Sequence, residues 1–344
     1  MKALMKTKSG FGNVELVDIP EPACPLSGVK VEVKYGGICG TDLHVYKDTF
    51  PNYPPVILCH EFAGVVTEVG SDVLDIRPGT KVAVIGSIAV QCGKCEYCRQ
   101  GYYMFCPQRR GMGHGVNGGF TRFVVVREDM VCPVGDSVTL EQAALLEPFA
   151  VAVQAIEEIT PFCVGDTVLL SGPGPIGLLC LAMLVAHRCK VIVAGTEADA
   201  ERLALAKRLG ADVVVDVSRT DLEAVIRGET AGRGVDIAVE CAGAASSIAS
   251  CIRAVKSQGR ILQLGIPGTP LAVDIDSVIF KAIQFLGCVG HSLKTWDRAL
   301  RILNQGKVDI MPVVTHVLPL SRWKEGFDLC EQKQGIKVLL KCDE

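Results

Sequence analysis

The sequence has no surplus of positive charge. Lys and Arg number 35 against 38 Asp and Glu, a net charge of −3, and no basic block stands out. Little is therefore available to neutralise a phosphate backbone, which argues against nucleic acid as a partner. Long apolar runs are missing as well: a run such as 176–186 stops far short of the roughly 20 residues that span a bilayer. The opening residues Met1-Lys2-Ala3-Leu4-Met5-Lys6 are too polar for a signal peptide, so the expected location is cytoplasmic. Neither an internal repeat nor a low-complexity linker is found. What remains is a folded chain: 49% of residues are hydrophobic and only 21% charged. Its 344 residues suggest two domains at roughly 150 residues each.

Sixteen cysteines in a chain with no export signal are read as metal ligands before disulfides. Only those from Cys92 to Cys106 cluster tightly. Cys180, Cys189, Cys241 and Cys288 lie in apolar stretches, where Cys acts as a small buried hydrophobe.

The texture changes along the chain. Up to about Arg127 it is β-rich: residues 29–34 alternate with period two, and 62–69 and 81–85 are short β-branched runs. This predicts an all-β, barrel-like domain. From about Leu140, strand and helix alternate, with strands predicted at 167–171, 191–194, 212–215, 235–240 and 260–264 and helices at 176–187 and 198–209. Such alternation implies βαβ units and a parallel, doubly wound sheet. Later, 295–304 reads as an amphipathic helix and 313–317 as a strand.

Three constellations carry chemistry. Gly172-Pro173-Gly174-Pro175-Ile176-Gly177 follows a predicted strand and opens a helix, fitting G-x-G-x-x-G. Such glycines permit a tight turn and close approach of a pyrophosphate to the helix N-terminus. Glu197 falls 20 residues after Gly177, where a carboxylate accepts ribose hydroxyls and repels a 2′-phosphate, favouring NAD over NADP. Arg202, close by, would welcome that phosphate. The second constellation is Cys92-x-x-Cys95-x-x-Cys98-x7-Cys106: four thiolates that can close around one structural zinc, with an iron–sulfur cluster as competitor. The third is dispersed. Cys39, Thr41 and His44 share one loop, and Cys59-His60-Glu61 another, offering sulfur, imidazole and carboxylate, a set suited to zinc.

Together these resemble the zinc-dependent medium-chain alcohol dehydrogenase superfamily over essentially the whole chain. The motif His60-Glu61-x-x-Gly64-x5-Gly70 resembles its zinc signature, and the four-cysteine lobe and glycine turn follow in the expected order. The texture is closest to the sorbitol (polyol) and L-threonine 3-dehydrogenases, which also carry Glu-Pro where Glu147-Pro148 stands here. Residues 276–281 look like the threonine enzymes and 336–343 like the sorbitol enzymes.

The resemblance implies a GroES-like catalytic domain, 1–148 with 290–344, and a Rossmann cofactor domain, 149–289. It implies a catalytic zinc on Cys39, His60 and Glu61, with Glu147 as an alternating or water-linked fourth ligand. Thr41 and His44 match the family's proton relay. Gly172, Gly174, Pro175, Ile176, Gly177, Glu197 and Arg202 match cofactor contacts, as do Leu264, Gly265, Ile266, Cys288 and Val289. A homodimer or homotetramer is expected.

The activity implied is zinc-assisted hydride transfer between a secondary alcohol, of polyol type, and NAD. The alternatives are a threonine or other amino-alcohol dehydrogenase, whose substrate carboxylate would want Arg109, Arg110 or His114, and a zinc-stabilised binding protein without turnover. One residue departs from the family pattern. Cys59 stands where Gly is usual, so a positive φ there would crowd its Cβ, and its thiol would add a soft group near the metal.

Overall fold

The computed structural model describes residues 1–343, which form two compact units. The first contains Met1–Glu147, Ser292–Gly306 and the chain from Val314 onward; the second contains Pro148–His291 and Lys307–Val313.

The first unit is built on β1 (Gly28–Gly37), whose alternation sends Val29, Val31 and Val33 into the core with no exposure. A short helix, α1 (Gly40–Tyr46), follows directly, and β2 (Glu61–Val69) pairs antiparallel with β1 along nearly its whole length. Strands Phe123–Arg127 and Lys337–Lys341 also pair with β1, within a seven-stranded curled sheet. This is the β-rich unit that the alternating pattern predicts. Its register matters for function. β1 ends at Gly37 opposite Glu61, so the loops carrying Cys39 and His60 leave the sheet side by side.

The second unit is a parallel sheet of six strands: β3 (Thr167–Ser171), β4 (Lys190–Gly195), β5 (Val213–Asp216), β6 (Val235–Glu240), β7 (Val255–Gln263) and β8 (Gln284–Gly287). A helix, α2 (Pro175–Ala186), follows β3. The strand order is β5-β4-β3-β6-β7-β8, so the winding reverses between β3 and β6. In open α/β sheets a ligand crevice forms at that switch, beyond the carboxyl ends of the strands. Leu169, Ile192, Ala238 and Ile261, from four neighbouring strands, are buried together with Ile248 and Ile252 from the helix Ala245–Ala254. The sequence placed residues 307–313 with the first unit. They pack instead in the second, where Met311–Val313 lies against α2. A short apolar turn carries no periodicity to reveal that.

Candidate active site

The two signature loops are joined by one carboxylate. Asp42, in the first turn of α1, accepts from the Cys39 N–H at 2.9 Å and from the Cys59 N–H at 3.1 Å. It is buried, and burial raises its pKa, with His60 and these two N–H groups opposing the rise. This tie brings Cys39, His60 and Glu61 together, with one donor atom of each within 4.8 Å of the others. His60 Nδ1 is buried and has no hydrogen-bond partner. Burial alone would lower the His60 pKa, but Cys39, Glu147 and Asp42 raise it overall. A cluster of thiol, imidazole and carboxylate with an orphaned imidazole nitrogen is the chemistry a divalent zinc satisfies.

The remaining expected residues take distinct places. Thr41 Oγ1 lies 3.8 Å from Cys39 Sγ, and His44, one turn further along α1, is exposed and bonded through Nδ1 to Thr49 Oγ1 at 3.0 Å. Glu147 lies outside the converging group of three. It sits in the first turn of the helix Leu146–Val153, and its charge acts on His60, Tyr103 and Arg109. Cys59 does adopt φ +81°. Its Sγ lies 3.2 Å from the Glu61 carbonyl and 3.8 Å from that of Gly37, and it is not part of the converging group. Burial, with Asp42 adding to it, pushes this thiol well above its ordinary pKa, so it stays protonated.

Two residues that sequence reasoning missed complete the centre. Asp42 lies between Thr41 and His44, and nothing in the sequence marks its role. Lys337 is 276 positions from Glu61, yet its Nζ donates to Glu61 Oε2 at 2.6 Å and to the Ile38 carbonyl at 3.1 Å, fully inside the fold. Burial would lower the lysine's pKa, but Glu61 and Cys39 raise it, so it remains a cation. The only sequence signal was a lysine at the head of an apolar run.

Of the suggested substrate cations, Arg110 stacks over the Tyr53 ring at 4.2 Å. His114 packs edge-on to Phe50 at 5.1 Å, and burial, with the charges of His60 and Arg109, pushes its pKa down to about 4. It is neutral near pH 7.

Cys92, Cys95, Cys98 and Cys106 converge within 4.8 Å, as four ligands of one tetrahedral ion must. N–H groups of Lys94 and Cys95 lower the Cys92 thiol to about 6, while burial and the neighbouring thiols push Cys98 up to about 12.

In the second unit the glycine turn has the form a dinucleotide requires. Gly172 takes φ +99°, and a Cβ there would meet the backbone of Ala242 at 2.6 Å. A Cβ on Gly177 would meet the Gly172 carbonyl at 2.1 Å, whereas Gly174 faces open space before Pro175 and Ile176 start α2. Glu197 lies just beyond β4, in a 3₁₀ turn, and pairs with Arg219. Arg202 is buried, 3.5 Å from Asp199. Leu264 and Gly265 donate their N–H groups to the Glu240 carbonyl, Cys288 hangs from Gln263, and Ile266 and Val289 are exposed beyond the strand ends. The Glu240 side chain, also unforeseen, is fully buried and accepts from Ala242, Gly243, Ser247 and Gln263. It cross-links the loops at the switch.

Residues 27–136 match the family model of the alcohol dehydrogenase GroES-like domain, and residues 175–305 that of the zinc-binding dehydrogenase. The chain is 35% identical over 343 residues to a D-arabitol-phosphate dehydrogenase of Enterococcus avium, covering 99% of this chain and 97% of the relative. The chain belongs to the zinc-dependent medium-chain alcohol dehydrogenases. It is also 35% identical over 341 residues to a sorbitol dehydrogenase of Halalkalibacterium halodurans, covering 99% of both. To an L-threonine 3-dehydrogenase of Rhizobium etli it is 34% identical over 350 residues, covering 99% of this chain and 98% of that one.

Among solved structures, a zinc-binding dehydrogenase of Sinorhizobium meliloti bound to NADP superposes with a TM-score of 0.90 at 28% identity, covering 99% of this chain and 98% of that one. The 2R,3R-butanediol dehydrogenase of Bacillus subtilis gives 0.89 at 29%, covering 99% of both. This dehydrogenase is therefore a zinc-type alcohol oxidoreductase that uses a nicotinamide cofactor. No helix among its described residues is long and apolar enough to cross a membrane.

Proposed function

We propose that this dehydrogenase oxidises a secondary alcohol of polyol type to a ketone, with NAD as hydride acceptor. The observation that carries the reading is the convergence of Cys39, His60 and Glu61 around the unpartnered His60 Nδ1, beside the Thr41 hydroxyl. Cys39, His60 and Glu61, with Glu147 as an alternative ligand, would hold a zinc, which would supply a Lewis acid that lowers the pKa of an alcohol. Thr41 Oγ1 takes up the hydroxyl proton as it releases its own, which leaves to water by way of His44, exposed one turn along α1. Asp42 keeps both loops in register, and Lys337 shares the charge of Glu61.

On the cofactor side, the turn Gly172–Gly177 seats the pyrophosphate and Glu197 accepts from the adenosine ribose. Leu264, Gly265, Ile266, Cys288 and Val289 flank the nicotinamide half, and Arg202 braces the turn below Glu197 through Asp199. Cys92, Cys95, Cys98 and Cys106 would hold a second, structural zinc. The enzyme works as a cytoplasmic homo-oligomer.

The relatives named for sorbitol and arabitol phosphate favour polyols. The relative named for threonine, with the charge of Arg109 beside Glu147, supports an amino-alcohol as the second reading.

The test pairs metal analysis with turnover. Zinc-loaded enzyme with NAD should oxidise at least one member of a panel of polyols, butanediol and threonine. Cys39→Ser should lose about one zinc equivalent and nearly all activity. Full activity with full zinc in that variant would remove the assignment.

A further inference from the structure

Arg109 is an arginine without a protein partner at the working end of its guanidinium. Its Nε donates to the Ser87 carbonyl at 3.2 Å, which fixes the plane of the fork. Among the described residues no oxygen accepts from Nη1 or Nη2, and neither nitrogen is sealed from solvent. A solvent-facing arginine could stand so without meaning. This one is half-buried, and burial lowers its pKa while Tyr103 and Glu147 oppose the shift. Glu147 acts on His60 too, so one carboxylate is the common neighbour of the candidate metal ligand and of this cation.

Gly111 gives the fork its companion. A Cβ there would lie 2.9 Å from His114 Nε2 and 3.3 Å from Arg109 Nη2, so only glycine lets the ring and the guanidinium close on the same point.

From this arrangement we infer that Arg109 anchors a negatively charged group, phosphate or carboxylate, carried by the alcohol substrate several bonds from the carbon that is oxidised. The inference rests on the reading of this centre as one that oxidises an alcohol. Two parallel N–H donors match two oxygens of either anion, and a planar fork loses little freedom in binding them. A neutral polyol leaves the two Nη groups without an anionic acceptor, and sites built around such groups reject substrates that lack the matching one.

The experiment compares kcat/KM with NAD for a pentitol, the same pentitol carrying a terminal phosphate, and threonine. Wild type, Arg109→Met and Arg109→Lys are measured side by side. The wild type should prefer one of the anionic substrates over the free pentitol by about 100-fold or more. Arg109→Met should remove most of that preference and leave the pentitol within about threefold, with Arg109→Lys between. Whichever anionic substrate the wild type prefers identifies the group as phosphate or carboxylate. A wild type that prefers the free pentitol, or an Arg109→Met enzyme slowed equally on all three, overturns the proposal.

Calorimetric binding of inorganic phosphate to the zinc-loaded proteins separates this idea from the reading beneath it. Phosphate binding lost in Arg109→Met, in an enzyme that oxidises none of the three, would keep the anion site and refute the oxidation of these alcohols. Should Arg109→Met melt well below wild type, the same comparison is made with Arg109→Lys, where unchanged substrate preference and unchanged phosphate binding overturn the proposal.

Discussion

Cys59 occupies the left-handed region at φ +81°, which costs an L-residue about 1–2 kcal/mol. Its thiol offsets part of that by filling buried space against Gly36. Cys59→Gly relieves the backbone and empties the space, so zinc content and turnover should stay near wild type and the melting temperature should barely move. Metal loss as complete as in Cys39→Ser would instead make Cys59 a ligand. Glu197 illustrates a different kind of balance, because Arg219 pairs with it and Asp216 lies 3.6 Å from the same arginine. Removing the acid frees Arg219 for a 2′-phosphate. Glu197→Ala should therefore raise kcat/KM with NADP by about tenfold while lowering it with NAD. Steady-state kinetics with both cofactors decide this, and a wild type that already prefers NADP would refute the role of Glu197. Both residues were legible in the sequence, as a missing glycine and as an acid after a strand. Arg219 was not, since nothing local marks a partner 22 positions away.

At the scale of elements, the regular ones declared themselves. The strand 235–240 has the bounds its apolar run predicts, and α2 begins where Pro175 follows a glycine. The edge strand β8 escaped notice, because Gln284-Phe285-Leu286-Gly287 is short and alternates too little to register. The Cys92–Cys106 lobe is the opposite case: it has little regular structure, only the four-residue helix Glu96–Arg99 and a 3₁₀ turn at Tyr103–Phe105, yet spacing alone predicted the convergence. A segment with so little ladder bonding would lean on a zinc held by its four cysteines, since closed zinc sites contribute folding energy directly. Cys95→Ser should lose about one zinc equivalent and melt at lower temperature. Metal analysis with calorimetry checks both, and unchanged values would end the structural-zinc assignment.

At the scale of the whole molecule, one sheet edge carries apolar residues. β8 is the last strand of the six-stranded sheet, and around it Ile275, Ile279, Phe280 and Phe285 are exposed, Phe280 by 86%. Unpaired strand edges with apolar flanks invite another strand. A second copy pairing edge to edge should give a light-scattering mass of at least twice 36.7 kDa, and Phe280→Asp with Phe285→Lys should reduce it to the monomer. A wild-type monomer at working concentration would refute the homo-oligomer. Connectivity at this scale also explains why the charge on Glu61 could not be read locally. Its counter-ion arrives on Lys337–Lys341, the strand that pairs with β1 at Gly37. This has a bearing on biogenesis. During synthesis Cys39, His60 and Glu61 exist long before Lys337 has been translated, and in that interval Glu61 lacks the ammonium that pairs with it in the folded protein. The centre should therefore reach its final charge balance only once residue 337 docks, whereas the cysteines that converge between Cys92 and Cys106 are local in sequence. A translation product halted at residue 335 should hold one zinc instead of two.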